Sequence, residues 1–480
     1  MTQCIKREGR MDRSTQTHYK EGRKGLRIAA ICGLTLVCLL STLWKPLPSV
    51  AQEGDKLVLS VEQAIRMALA KSPELAGIRS EIGGARSELE QVDAAYYPQL
   101  ESITLVGPVK DANRPVVVNG RITDPSPEMS IGVYGSTDFA MTQPLYTFGK
   151  LSNRRDAAVK GLAARELKQT QKENEIALRV KELYYALVLA RAGVEAATEA
   201  LTYFDEARAR MKRLLDAGSP NVLESDLYRI DAYAANTLRS RAEAEKGSGI
   251  AYFALKSLMH LPSDAAFEPA EKMLSLQEGR LGELDAYIGK ALADRPELKQ
   301  LEQAVAAQRS MVEAARSDRY PSFFAALAGS VAGAPGRETF HNAYFPDQYN
   351  HAYVGVVGGL KWHFDFGIAK AKIEKEKAEY ERLLHAKGTG RLNIPIEVVK
   401  YYEEVREWKV AGEAYGNAAT ASRKWIVAAL TNFDMGIGTA DDMLRGMEKY
   451  GENRGKYIQA VFGYNMSLAM LEYATGVRSW

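Results

Sequence analysis

The chain repeats itself once, and the second copy lies about 220 residues after the first. Residues 75–98 align with residues 298–321 at an offset of 223, each preceded by Pro-Glu and closed by Tyr-Pro. Further on, Phe148-Gly149 aligns with Phe366-Gly367 at an offset of 218. A unit of this length is too long for a solenoid repeat. It predicts a duplicated module of helix, β-hairpin, long helix and returning helix.

The first 51 residues have the pattern of a secretory signal. Basic residues at 23–27 precede an apolar run at 28–43. The small residues Ser49 and Ala51 occupy the two positions that a signal peptidase recognises before its cleavage site. The apolar run is about 16 residues long, whereas a membrane-spanning helix needs about 20. We therefore expect residues 1–51 to be a cleaved signal peptide rather than a membrane anchor.

Composition excludes several classes of function. All three cysteines (Cys4, Cys32, Cys38) lie in the leader, so the rest of the chain offers no disulfide or thiolate site. The leader holds 9 of the 63 basic and 3 of the 60 acidic residues, which leaves 54 basic and 57 acidic ones. This near-neutral balance gives no reason to expect a nucleic-acid partner. Mean hydropathy is −0.26, and no later apolar run is long enough for a membrane helix.

No motif points to catalysis, a cofactor or a metal. The chain has no nucleophile elbow and no phosphate-binding loop. The histidines beyond the leader lack the spacing of a zinc site, and they are His260, His341, His351, His363 and His385. The sequence therefore predicts neither an enzyme nor a metal or cofactor site.

Each repeat contains a segment that alternates apolar and polar side chains, at 99–146 and at 322–366. A period of two is typical of strands with one polar and one apolar face. Strands of about 10 residues suit a tilted crossing of a bilayer. We expect Trp362, Phe364 and Phe366, on the apolar face, to contact lipid. The same pattern would also fit a soluble sheet with its aromatic residues packed inside.

A long helical segment follows each hairpin, at 150–217 and at 368–435. Each would be about 100 Å long. Apolar residues recur in both at alternating steps of four and three, the pattern of a coiled coil, with a kink or break expected at Pro395. Both helices end at a glycine, Gly218 or Gly436, which is typical of a left-handed C-cap.

Shorter helices return after each glycine, at 222–259 and 440–475. The first repeat is then predicted to span 52–283, ending in an irregular connector, and the second to span 284–480. The fold class is mainly α with a β-barrel contribution from the hairpins.

Four strands are too few to close a barrel. Unpaired sheet edges are not tolerated in hydrocarbon, and about eight strands are the practical minimum for closure. If the hairpins lie in a membrane, closure must therefore recruit other copies of the chain. Three copies would give twelve strands, enough for a conducting lumen.

At this point the sequence resembles the TolC-like outer-membrane efflux proteins. The resemblance is carried by LSVEQAIRMALAKSPEL (59–75), by TQPLYTFGK (142–150), by the two glycine turns and by the duplication itself. It implies a homotrimer with a 12-stranded barrel in outer-membrane lipid and a long α-helical barrel in the periplasm of a Gram-negative cell. It also implies an adaptor (membrane fusion) protein and an inner-membrane transporter as partners, with substrate passing through the lumen.

The resemblance also implies roles for residues near the helix tips. Asp442, six residues after the turn glycine and next to Asp441, matches the aspartate that forms a pore constriction. In the first repeat the acidic partner, six residues after Gly218, would be Glu224. The gate or tip region would include Glu224, Phe433 and Arg445, although Gly438 replaces a gate arginine of some relatives and Phe433 replaces a tyrosine. Arg213, Arg423 and Lys424 are further candidates for the closing links. The turns with adaptor contact would be formed by Gly218, Ser219, Gly436 and Gly438.

One alternative remains open at this stage. A soluble periplasmic coiled-coil scaffold, with hairpins that pack on themselves, would have the same helical pattern but no channel activity.

Overall fold

The computed structural model describes residues 57–123, 130–276 and 281–477, so the predicted leader lies outside the described residues. The helices of the described part are α1 (Val61–Lys71), α2 (Pro73–Ala94), α3 (Lys150–Asp216), α4 (Glu224–Leu258), α5 (Leu284–Asp294), α6 (Pro296–Ser317), α7 (Ile368–Asp434) and α8 (Ala440–Ala474). Its strands are β1 (Leu57–Leu59), β2 (Gln99–Lys110), β3 (Val116–Val118), β4 (Arg121–Thr123), β5 (Ile131–Tyr146), β6 (Phe267–Pro269), β7 (Ser322–Gly333) and β8 (His351–Lys361).

Corresponding helices of the two repeats have equal lengths. The long helices α3 and α7 each have 67 residues, and the returning helices α4 and α8 each have 35. The helices before the hairpins also match, with 11 residues in α1 and α5 and 22 in α2 and α6. The duplicated order of helix, hairpin, long helix and returning helix, predicted from the sequence, is therefore present in the structure.

Helices α1, α2 and α6 begin at residues that suit a helix start. Ser60 caps α1 in a capping box, because its side chain accepts from the Gln63 N–H while the Gln63 side chain accepts from the Ser60 N–H. Gln63 occupies the third helical position, and Glu62 precedes it. Proline stands at the first position of α2 and α6, where its missing N–H costs nothing.

The apolar stripes of the long helices are buried, as the heptad pattern predicted. In α3, Ile176, Val180 and Leu187 are almost fully buried. Of the kink or break expected at Pro395, a break is absent, since α7 continues through this residue. Ile394 and Val398, on either side of the proline, are both buried in the core of the second repeat. Tertiary packing therefore holds the helix together where local propensity disfavours it.

Strands β2, β5, β7 and β8 form one antiparallel sheet in that order, so β5 and β7 join the two repeats. In the register, Met141 lies opposite Leu327, and Leu327 lies opposite Val356, which places apolar residues on one face. Asp138 lies opposite Ser330 on the other face. The predicted alternation is therefore confirmed, and β2 and β8 are the two edges of this sheet.

The second hairpin ends earlier than expected. Strand β8 stops at Lys361, so Trp362, Phe364 and Phe366 follow the strand instead of extending it. The Trp362 and Phe364 rings lie 4.4 Å apart, and the Trp362 indole N–H donates to the Arg319 carbonyl. These aromatic residues thus lie at the end of the sheet next to the long helices.

Three apolar cores stabilise the helical part. One joins α1, α3 and the connector of the first repeat, and a second joins α5, α7 and α8 of the second repeat. The third lies near the helix tips and contains residues of α3, α4, α7 and α8. No helix of the described part is both long and apolar enough to cross a membrane.

Candidate functional site at the helix tips

Both long helices end in the turn that the glycines predicted. Gly218 and Gly436 have φ angles of +75° and +76°, a left-handed backbone conformation that is unfavourable for residues with a Cβ atom. The Ser219 N–H donates to the Leu214 carbonyl at 2.9 Å, and the Ile437 N–H donates to the Asn432 carbonyl at 3.0 Å. These bonds are the signature of a Schellman cap.

The two turns differ in length by two residues. Helix α4 begins at Glu224, eight residues after α3 ends, whereas α8 begins at Ala440, six residues after α7 ends. Beyond the turns the two repeats therefore correspond at an offset of 216 instead of 218. Asp226 is consequently the structural counterpart of Asp442, so the prediction that Glu224 takes this place was wrong.

The geometry of the two helix starts supports this correspondence. The Asp226 carboxylate accepts from the Leu223 N–H at 3.0 Å, and the Asp442 N–H donates to the Thr439 hydroxyl at 3.2 Å. Each aspartate thus takes part in capping at the third helical position. Glu224 instead accepts from the hydroxyl of Tyr228, one turn along the same helix, at 2.7 Å.

Asp441 is held by two arginines that occupy equivalent positions in the two repeats. Its carboxylate lies 2.7 Å from the Arg229 guanidinium of α4 and 2.8 Å from the Arg445 guanidinium of α8. The hydrogen bond from Arg229, with help from Arg445, holds the pKa of Asp441 below its ordinary value. The pair Arg229–Asp441 therefore links the first repeat to the second at the tip.

Asp442, the second predicted constriction residue, has a different partner. Its carboxylate accepts from the indole N–H of Trp425 on α7 at 3.1 Å. The structure therefore separates the roles of the two neighbours, because Asp441 contacts the first repeat and Asp442 contacts its own long helix.

Two further contacts join the repeats near the tips. The Asn221 side-chain amide donates to the Gly436 carbonyl at 2.7 Å, which connects one turn to the other. Arg210 of α3 lies 2.8 Å from Asp434 at the end of α7. Gly438 packs closely against the last turn of α7, since a Cβ there would lie 2.8 Å from the Phe433 backbone nitrogen.

Phe433 belongs to the packed interior of the tip. Its side chain is only 2% exposed, and it lies in the apolar core at the tips with Phe204, Met211 and Met443. The sequence had placed Phe433 in the gate region, where a hydroxyl would form a link. With its ring buried, Phe433 supports the tip by packing.

Sequence reasoning missed Arg229 and Asn221. A signal for Arg229 was present, since Arg445 stands at the same helical position in the second repeat, but it appears only once the two-residue difference between the turns is known. Arg213, Arg423 and Lys424, the other candidates for closing links, make no repeat-to-repeat ion pair among the described residues. No cluster of metal-binding side chains occurs in the part of the chain that the structure describes.

Comparison with known proteins identifies the family. The profile of the outer membrane efflux protein family matches residues 64–247 and 287–476. The chain belongs to this family. It is 24% identical over 352 residues to the alkaline protease secretion protein AprF of Pseudomonas aeruginosa, covering 72% of this chain and 70% of AprF. It is 26% identical over 267 residues to the cation efflux system protein CusC of Escherichia coli, covering 55% of this chain and 54% of CusC.

Solved structures of outer-membrane channels have the same fold. The structure of the outer-membrane channel OprN superposes with a TM-score of 0.72 at 17% identity, covering 87% of this chain and 89% of OprN. The mainly helical fold with a β contribution from two hairpins, predicted from the sequence, is therefore confirmed. Membership of the outer membrane efflux protein family agrees with the predicted outer-membrane location. Relatives in this family are transport channels, and the soluble scaffold alternative is not supported.

Proposed function

We propose that this channel is the exit duct of a tripartite export system and that its helix tips form the periplasmic entrance. An adaptor protein would contact the two kinds of turn, at Gly218, Ser219, Gly436 and Gly438, and an inner-membrane transporter would supply the energy. The chain itself would provide only passage, without catalysis. The observation that carries the proposal is the set of polar contacts that join the two repeats at the tips.

The entrance is held closed, in this proposal, by the links between the two repeats of each copy. Arg229–Asp441, Asn221–Gly436 and Arg210–Asp434 each join a first-repeat element to a second-repeat element. Widening the entrance requires the tips of α7 and α8 to move away from those of α3 and α4. That movement would break all three contacts while leaving the capped turns intact.

The closing links can be tested by conductance in planar lipid bilayers. Arg229→Ala removes the bond to Asp441 and should raise the single-channel conductance. Arg239→Ala is the matched control, because Arg239 lies on the same helix but pairs with Glu243 of that helix. Equal conductance of the Arg229→Ala, Arg239→Ala and wild-type channels would contradict the proposed links.

Asp442 is proposed to contribute a carboxylate to the lumen at the narrowest point. Three copies would place three carboxylates in one ring, which favours cations in a pore. Asp442→Asn should therefore lower the ratio of cation to anion permeability, measured from reversal potentials in a salt gradient. Asp285→Asn, in α5 and far along the chain from the tips, is the control. An unchanged ratio in the Asp442 variant would place this carboxylate outside the conduction path.

The partners can be identified from cells. Cross-linking of intact envelopes followed by purification of the channel should capture a periplasmic adaptor together with an inner-membrane transporter. Variants that alter the turns, such as Ser219→Trp, should reduce this capture without reducing the amount of channel in the outer membrane. Equal capture by the variant and the wild type would exclude the turns as the adaptor contact.

A further inference from the structure

The duplication offers a template for the contacts between copies, an inference that rests on the trimeric channel proposed above. Within one chain, β5 pairs with β7, and the sheet edges are β2 and β8. Because β2 and β7 correspond, as do β5 and β8, the pairing of β8 with β2 of the next copy repeats the pairing of β5 with β7. We use "repeat junction" for the contacts between the repeats within a chain and "copy junction" for their equivalents between chains.

An aromatic contact at the repeat junction has exposed counterparts next to the two edge strands, β2 and β8. Phe148 stacks on Tyr320 with ring centroids 5.2 Å apart and lies 6.2 Å from the ring of Phe323. The equivalent of Phe148 is Phe366, whose side chain is fully exposed. The equivalents of Tyr320 and Phe323 are Tyr97 and Leu100, which are exposed too.

A helical contact shows the same relation. On the repeat junction, Leu178 of α3 faces Ala469 of α8 around a small void. The equivalent residues are Ile396 on α7 and Phe253 on α4. Ala469 is 4% exposed, whereas Phe253 is 70% and Ile396 is 68% exposed in the single chain. Two large apolar side chains thus stand in solvent at positions whose counterparts are packed together.

Three ion pairs of the repeat junction have no oppositely charged counterparts at the copy junction. Lys181 lies 2.7 Å from Glu472, Lys150 lies 2.5 Å from Asp318, and Arg454 lies 2.9 Å from Glu199. None of the equivalent residue pairs carries opposite charges, and they are Val399 with Lys256, Ile368 with Ala95, and Leu238 with Asn417. At these three pairs of positions the copy junction is therefore more apolar than the repeat junction.

We propose that neighbouring copies join through an apolar version of the repeat junction. In it, Phe366 of one copy packs on Tyr97 and Leu100 of the next, and Ile396 packs against Phe253. The occupant of these exposed faces is a second copy of this chain, because the duplication supplies a matching surface for each. Burial of large apolar side chains then drives assembly, so the trimer should resist high salt.

Cysteine pairs test the proposed contact directly. Phe253→Cys combined with Ile396→Cys should give covalent dimers and trimers on denaturing gels after treatment of the native channel with a short bis-methanethiosulfonate. Leu178→Cys with Ala469→Cys, the equivalent pair within the chain, should cross-link without any increase in chain number. The native cysteines lie at or before position 38. Absence of covalent oligomers in a Phe253/Ile396 variant that still forms conducting trimers would overturn the copy junction alone.

Charge substitutions give a second test that does not depend on cross-linking. Ile396→Glu or Phe253→Lys should lower the detergent-stable trimer fraction, on the order of tenfold, and the double variant should restore it. Val427→Glu is the matched control, since Val427 is exposed on the same helix but its counterpart Ala209 is exposed as well. Equal losses for Ile396→Glu and Val427→Glu would overturn the proposal. A wild-type protein that is a non-conducting monomer would instead overturn the proposed function.

Discussion

Replacing Phe433 by alanine should loosen the helix tips without disturbing the rest of the chain. The side chain is 2% exposed and is enclosed by residues of all four tip helices. Large-to-small changes of a buried phenylalanine cost about 3–5 kcal/mol, because transfer energy is lost and a cavity remains. Since the tip core is separate from the two cores further along the helices, most of this cost should appear as local opening of the tip.

Hydrogen exchange measured by mass spectrometry can resolve that local opening. A loss of about 3 kcal/mol should accelerate exchange of the amides at the ends of α3 and α7 by roughly 100-fold. Peptides from α1 and α5 should exchange at wild-type rates. Met435→Ala is the control, because Met435 caps the same helix but is exposed. If both variants exchange at the same rate, Phe433 does not stabilise the tip by packing and the reasoning fails.

Three further changes have defined outcomes. Tyr184→Phe removes a buried hydroxyl that donates to the Leu59 carbonyl at 2.9 Å, so the melting temperature should fall by an amount equivalent to about 1–3 kcal/mol in thermal unfolding. Asp441 has a lowered pKa, so its bonds to the two arginines persist above its ordinary pKa and are lost as the pH falls through the lowered value. Conductance should therefore rise only below about pH 4, and the rise should vanish in Asp441→Asn. Arg295→Met leaves the carboxylate of Glu397 without its buried partner and should cost about 3 kcal/mol in chemical denaturation, part of which Glu397→Gln should restore.

Local sequence patterns predicted the elements of this fold well. The turn glycines, the alternating strands and the heptad stripe of α3 depend on residues close together in the chain. These features can therefore be predicted from local sequence patterns. Pro395 shows where local reasoning stops. A proline inside a helix predicts a break, but burial of Ile394 and Val398 on both sides keeps α7 continuous.

The candidate site was harder to predict because it depends on distances between helices that are far apart in the chain. Aligning Gly218 with Gly436 was correct, but carrying the same offset past the turn selected Glu224 in place of Asp226. An alignment that matches only the two glycines does not account for the two additional residues in the first turn. The link from Arg229 to Asp441 joins positions 212 residues apart, and no local pattern reports such a contact.

The unequal turns also limit how many identical partner subunits can bind the helix tips of the proposed trimer in equivalent ways. In the proposed trimer, the longer turn of the first repeat and the shorter turn of the second would alternate, which would give six turns of two kinds. Three identical subunits could each occupy the same kind of turn and remain equivalent. Six identical subunits would have to accept two environments, so each would need a binding surface that tolerates both shapes.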